Sequence, residues 1–111
     1  MSNIEKFFGR MYASCNALSL TYLGQSSTRE VIDDIRVIVN NIQVGYSGIY
    51  YKVKINIDEV TEVSEPVNFL EYLYKFVRES RAIFVDSWIL SRLDDISELI
   101  ASLLYQVKYK R

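Results

Sequence analysis

The stretch from Ala82 to Val107 reads AIFVDSWILSRLDDISELIASLLYQV, and it decides the class of fold. Its apolar residues fall at Ala82, Val85, Ile89, Leu93, Ile96, Ile100, Leu103 and Val107, always three or four positions apart. On a helix of about 3.6 residues per turn that spacing brings every one of them onto a single stripe. One helix of about seven turns would carry it. Within it, Ser91-Arg92-Leu93-Asp94 has the pattern of a helix N-cap, so residues 80–108 can be one helix or two, and a break or kink near Ser91 is favoured.

Outward from this stretch the same period recurs. Val67, Leu70, Leu73 and Val77 form a ridge that Phe69 and Phe76 widen, with Ser64 placed to cap the helix and Pro66 tolerated in its first turn. At the other end of the chain, Ile4, Phe8, Met11, Cys15, Leu18 and Tyr22 are spaced 4-3-4-3-4. Ser2-Asn3-Ile4-Glu5 is a capping box in front of that stripe, and Gly24 is a suitable stop after it. Ser27-Thr28-Arg29-Glu30 repeats the box and opens a second helix with Val31, Ile35, Ile38 and Ile42 inward and Ile32 and Val39 beside them. Its β-branched residues are modest helix formers, so it depends on tertiary packing. Asn40 and Asn41 fall where this helix is expected to end.

Between Gly45 and Val63 the period changes to two. Ile49, Tyr51, Val53, Ile55 and Ile57 alternate with Tyr50, Lys52, Lys54 and Asn56, the pattern of a half-buried strand. A strand needs a partner for its backbone groups, which residues 60–63 or 44–46 could supply. The expected architecture is therefore mainly α: a helical bundle with a small β-hairpin or strand insertion between N-terminal and C-terminal helices. At 111 residues it is a single domain, with a helix pair over 1–44, the insertion over 45–63 and further helices over 64–111.

The residue inventory removes several chemistries. The sequence has no histidine and a single cysteine, so a thiolate cluster or a His-based acid–base pair cannot be built from it. No Gly-rich phosphate loop occurs. Asp33-Asp34, Asp58-Glu59 and Asp94-Asp95 are adjacent acids, and neighbours on a helix diverge by about 100°. The last pair is expected at a helix start, where negative charge complements the dipole. Cys15 lies on the first apolar stripe and reads as a small buried hydrophobe. No catalytic, metal or cofactor site is expected, and the chain reads as a binding protein and not as an enzyme.

The unpaired cysteine, the lack of a signal-like leader and the lack of a long apolar run point to a cytoplasmic protein without membrane contact. Thirteen basic residues nearly cancel fourteen acidic ones. The signs are also mixed locally, four of each over residues 1–45 and seven of each over 65–111. Nucleic-acid contact therefore has to come from a local patch or from a partner's field.

Nine tyrosines are many for this length, and tyrosine is enriched at interfaces. Tyr22, Tyr51 and Tyr74 are expected in the core; Tyr46, Tyr50, Tyr72, Tyr105 and Tyr109 are candidates for exposed contacts. Lys52 and Lys54 beside Tyr50 suit a single strand, by charge for phosphate and a ring for stacking, or else protect a sheet edge. Arg29 and Arg36 share a helix face, as do Arg78 and Arg81. Lys108, Lys110 and Arg111 make the last residues positive, which also complements a helix C-terminus.

The order of elements, together with Asn16-Ala17-Leu18-Ser19 and with Pro66-Val67-Asn68-Phe69-Leu70 followed by Arg78 and Arg81, resembles the small subunit of archaeal type I-A CRISPR effector complexes of the Cascade type. The resemblance implies a non-catalytic subunit of an antiviral ribonucleoprotein complex. Such a subunit packs on the other effector-complex protein subunits around the CRISPR RNA and helps hold opened target DNA, single-stranded or displaced. On that reading Arg29, Arg36, Lys52, Lys54, Arg78 and Arg81 contact phosphate, while Tyr50, Tyr72, Tyr105 and Tyr109 serve the partner interface. Two other readings compete. One is a protein-interaction module, such as a viral inhibitor or adaptor, that uses the tyrosines on one protein. The other is a winged-helix regulator with the β segment as wing.

Overall fold

The computed structural model describes residues 2–47 and 63–109, and four α-helices run through them. Helix α1 spans Asn3–Thr21, α2 spans Ser26–Ser47, α3 spans Pro66–Glu79 and α4 spans Ser87–Tyr109, with a 3-10 turn over Ser80–Ala82 after α3. The mainly helical class holds, and no strand is present among the described residues. Residues 45–47, expected in the β insertion, are the last turn of α2. The alternating segment from Ile49 to Ile57, with Tyr50, Lys52 and Lys54, lies outside the described residues.

Helix α1 starts as its capping box dictates. The Glu5 amide donates to Ser2 Oγ at 3.2 Å, and the Lys6 amide donates to the Ser2 carbonyl at 3.1 Å. It ends where the Tyr22 amide returns to the Leu18 carbonyl, just before Gly24. Helix α2 begins at Ser26, ahead of the expected cap, because the Gln25 carbonyl already accepts the Arg29 amide at 3.0 Å. Ser27 thus stands inside the first turn. The asparagines at 40 and 41 do not end this helix either. Ile42 and Gln43 are both buried, and the Tyr12 hydroxyl meets Gln43 Oε1 at 2.7 Å, so contacts with α1 hold a further turn in place.

After residue 62 the chain is tied to the end of α1: the Val63 amide donates to Thr21 Oγ1 at 2.8 Å. Glu65, and not Ser64, stands at the cap of α3, since Pro66 takes the first helical position and the Glu65 carbonyl accepts from Phe69. The α3 helix tightens at its end, where the Ser80 hydroxyl donates to the Phe76 carbonyl. Ala82 and Val85, placed at the head of the long stripe by spacing alone, precede α4.

No break occurs at Ser91. Ile89, Leu93, Ile96, Ile100 and Leu103 are all buried on one uninterrupted face, and burying each such side chain contributes about 1.5–3 kcal/mol. A kink would lift half of that face off its neighbours. Helix α4 packs between α2 and α3, and α1 lies on α2. Phe7 of α1 stacks on Phe76 of α3 with centroids 5.9 Å apart, which closes the bundle. Phe8, Met11, Cys15 and Leu18 of α1 are buried in one core with Ile32, Ile35, Val39 and Ile42 of α2, and Leu70, Leu73 and Val77 join it from α3.

Candidate interaction surfaces

Each arginine expected to meet phosphate has a place in this frame, and most are engaged within the chain. Arg78 and Arg81, one turn apart, converge on the same carboxylate of α4, Asp94. Arg78 Nη1 is 3.4 Å from Asp94 Oδ1; Arg81 pairs with the same oxygen and donates to the Leu90 carbonyl at 3.2 Å. Asp94 and Asp95 therefore lie inside α4 and not at its start. Asp94 bridges to the neighbouring elements, while Asp95 pairs with Arg92 at 3.4 Å.

Arg36 bridges α2 to α1. Its Nη2 donates to Asn16 Oδ1 at 2.8 Å and to Ser19 Oγ at 3.3 Å, with Asp33 at 3.9 Å. Asn16 and Ser19 of the Asn16–Ser19 phrase thus serve as acceptors for an arginine of the next helix. Arg29 is half-buried, and its Nε is enclosed without a hydrogen-bond partner among the described residues. Arg29 and Arg36 lie two turns apart on α2, whereas Arg78 and Arg81 turn to a carboxylate of α4. Lys52, Lys54 and Tyr50 lie outside the described residues.

The tyrosines divide differently from the arginines. Tyr22 is buried, as its place on the α1 stripe implies, and burial pushes its phenol above the usual range. Tyr74, expected in the core, is exposed, because position 74 follows the buried Leu73 and turns about 100° away from it. Tyr51 lies outside the described residues. Tyr46, Tyr72, Tyr105 and Tyr109 are all exposed. Tyr105 and Tyr109, one turn apart at the end of α4, rest against each other with centroids 5.1 Å apart. Lys108 beside them reaches Glu71 of α3 at 3.4 Å.

Three further features escape a reading by spacing. Arg10 of α1 donates to the Tyr72 hydroxyl at 2.7 Å and lies 5.0 Å from the Phe76 ring centroid, which holds Tyr72 in place while leaving it half in solvent. A shallow groove between α3 and α4 is lined by Tyr74, Arg78, Asp94, Ser97, Glu98 and Ala101. Its guanidinium is matched by carboxylates, so it offers no excess of positive charge. At the head of α4, Val85 is 92% exposed beside Trp88, whose ring lies over Gly45 of α2. The signal for this last feature was Val85 itself, an apolar residue directly before a helix cap.

Cys15 is buried, and burial pushes its thiol up to about 12, so it stays protonated and unreactive at neutral pH. Among the described residues no three acidic or sulfur ligands gather to hold a metal ion, and no helix is long and apolar enough to cross a membrane. No family model matches the chain, and no significant match was found among curated proteins or solved structures.

Proposed function

We propose that this chain is a non-catalytic binding subunit that docks on protein neighbours through its exposed aromatic residues. The observation that carries the reading is an asymmetry in how the two residue classes are used. The guanidinium groups of Arg36, Arg78 and Arg81 are taken up by carboxylate, amide or hydroxyl partners within the chain, while Tyr46, Tyr72, Tyr105, Tyr109 and Trp88 are held in place by intramolecular contacts and keep much of their ring surface exposed. Aromatic side chains held in place lose little entropy on docking and supply large contact area.

The resemblance to the small subunits of type I-A CRISPR complexes gives this docking a setting: a subunit packed against the other proteins of an RNA-guided surveillance complex. In that setting nucleic acid is held mainly by the field of the neighbours, with Arg29, Lys52 and Lys54 as this chain's share. The same aromatic surface suits an adaptor or viral inhibitor bound to one protein. A winged-helix regulator is less favoured, because the outward residues of α4 mix Arg92 and Lys108 with Asp95 and Glu98 and present no basic recognition face.

The test is to purify the chain with and without the neighbouring proteins of such a complex and measure both assembly and single-strand binding across a salt series. The reading expects stable assembly that Tyr72→Ala or Tyr105→Ala/Tyr109→Ala weakens. It expects single-strand binding that is weak for the chain alone and stronger with the neighbours present. Lys52→Ala/Lys54→Ala should flatten the log–log salt slope by about 0.7 for each phosphate that is no longer neutralised. Strong binding by the chain alone that vanishes in Arg78→Ala/Arg81→Ala would overturn it. Assembly with a protein but no nucleic-acid binding in any setting would leave the adaptor reading.

A further inference from the structure

Residues 83–88 and the last turn of α2 meet at one end of the bundle and form an apolar knob. Val85 is 92% exposed, Trp88 45%, Tyr46 44% and Val44 42%. Beneath them lies a base of packed rings. Phe84 is buried and meets Phe7 edge to face at 5.4 Å and Tyr46 at 6.1 Å. The turn is closed by the Ile83 amide donating to the Ser80 carbonyl and the Leu90 amide donating to the Asp86 carbonyl.

Charge decides what this knob can meet. From Ala82 to Ser91 the one charged residue is Asp86, and from Val37 to Ser47 there is none. The cations that flank these two stretches, Arg36, Arg81 and Arg92, are each paired with a carboxylate of the chain (Asp33, Asp94 and Asp95), so phosphates of nucleic acid or lipid find little free charge here to attract them. A second copy seated on the same face with the two-fold axis through Val85 would bring one Asp86 close to the other, a like-charge contact across a desolvated surface. A partner that supplies the opposite sign has neither obstacle.

We infer that the Val85–Trp88 knob is a docking surface for a partner protein that presents an apolar face rimmed by lysine or arginine, the apolar face receiving Val85 and Trp88 and the cation meeting Asp86. This inference rests on the protein-docking reading above and names the surface and its partner's chemistry. Val85, Trp88 and Tyr46 form the anchor, and Asp86 selects the sign of the rim.

Trp88 is the sole tryptophan, so its emission reports this surface alone. The full-length chain would be titrated with an amphipathic helical peptide whose leucine face is flanked by lysines, and with the same peptide flanked by glutamates. The lysine peptide should shift the emission to the blue and protect it from acrylamide, with about tenfold higher affinity than the glutamate peptide. Val85→Asp should abolish the shift. Asp86→Asn, which keeps a good cap, should remove the preference between the peptides. Tyr105→Ser/Tyr109→Ser should change neither. Peptides that leave the emission unmoved or move it equally would overturn the inference, as would a shift produced by anionic vesicles or a single-stranded oligonucleotide. Emission that changes on diluting the chain alone would overturn it too, and would assign the face to a second copy. Acrylamide that fails to reach Trp88 in the unliganded chain would overturn it in favour of the chain's own residues 48–62. Loss of neighbour assembly in the Tyr72 or Tyr105/Tyr109 variants, with Trp88 silent to both peptides, would sink this surface while leaving the docking reading intact.

Discussion

The indole of Trp88 lies against the backbone of Gly45 so closely that a Cβ added there would stand 2.3 Å from Cζ2 and 2.5 Å from Cη2. The absent side chain of Gly45 is what lets the last turn of α2 lie under the first turn of α4. Gly45→Ala therefore has to push the ring outward, and since Trp88 is already half exposed it can move. The variant should fold, lose about 1–2 kcal/mol in chemical denaturation, and show red-shifted tryptophan emission. Unchanged stability together with unchanged emission would refute the contact.

The continuity of α4 makes a sharper prediction at Ser91. Ser91 is exposed, so its substitution reports the backbone. Ser91→Pro removes an intrahelical bond and clashes with the preceding turn, at a cost of about 3 kcal/mol or more. Were a second helix to begin there, proline near its first turn would be tolerated and Ser91→Ala would cost about 1 kcal/mol as a missing cap. In one continuous helix Ser91→Ala should be neutral or slightly stabilising. Urea denaturation of the two variants separates these outcomes.

The cap pattern at Ser91 misleads for a physical reason. Ser91 and Asp94 have the local spacing of a cap, but the Asp94 carboxylate is taken by Arg78 and Arg81, sixteen and thirteen positions earlier. The end of α2 is obscured in the same way, since the hydrogen bond from Tyr12 to Gln43 spans 31 positions and outweighs the asparagines before it. The helices themselves are legible, because burial selects apolar residues at the helical period and α1, α3 and α4 keep it strictly. The exposed aromatics at 46, 72, 105 and 109 are legible as residues. What holds Tyr72, an arginine 62 positions away, is not. Nor is the seat of Trp88, because a glycine records its neighbours only by lacking a side chain.

Cys15 gives the alkaline behaviour a definite sign. Its thiol titrates near 9.0 when unfolded and is raised to about 12 in the fold, chiefly by burial. Above pH 9 the unfolded chain sheds this proton while the folded chain keeps it, so stability is fully present below pH 9 and is lost as pH rises toward 12. Tyr22, raised from 10.0 by its own burial, acts in the same direction at higher pH. Cys15→Ala should flatten the fall in stability that begins just above pH 9, a change on the order of a few kcal/mol at most. At neutral pH the native thiol should resist a disulfide-exchange reagent and react only as the chain unfolds. A thiol that reacts rapidly in the native state would show that it is not enclosed.

Asp94 links stability to whatever charge the chain can offer a polyanion. It occupies two guanidinium groups at once, on side chains that are each about half exposed. Asp94→Asn keeps the size of the side chain and some hydrogen bonding but removes the charge that holds Arg78 and Arg81. Since the pairs are partly solvated, the stability cost should be about 1 kcal/mol and should shrink at high salt. A mutant cycle with Arg81→Ala should return a coupling of about 0.5–1 kcal/mol. The two released cations, one turn apart, are then available to phosphate. Single-strand affinity should rise in Asp94→Asn, and the log–log salt slope should steepen by about 0.7 for each phosphate newly neutralised. Triple substitution with Arg78→Ala/Arg81→Ala should cancel that rise. If Asp94→Asn instead lowers single-strand affinity, the arginines are positioned for phosphate by this carboxylate and are not withheld by it.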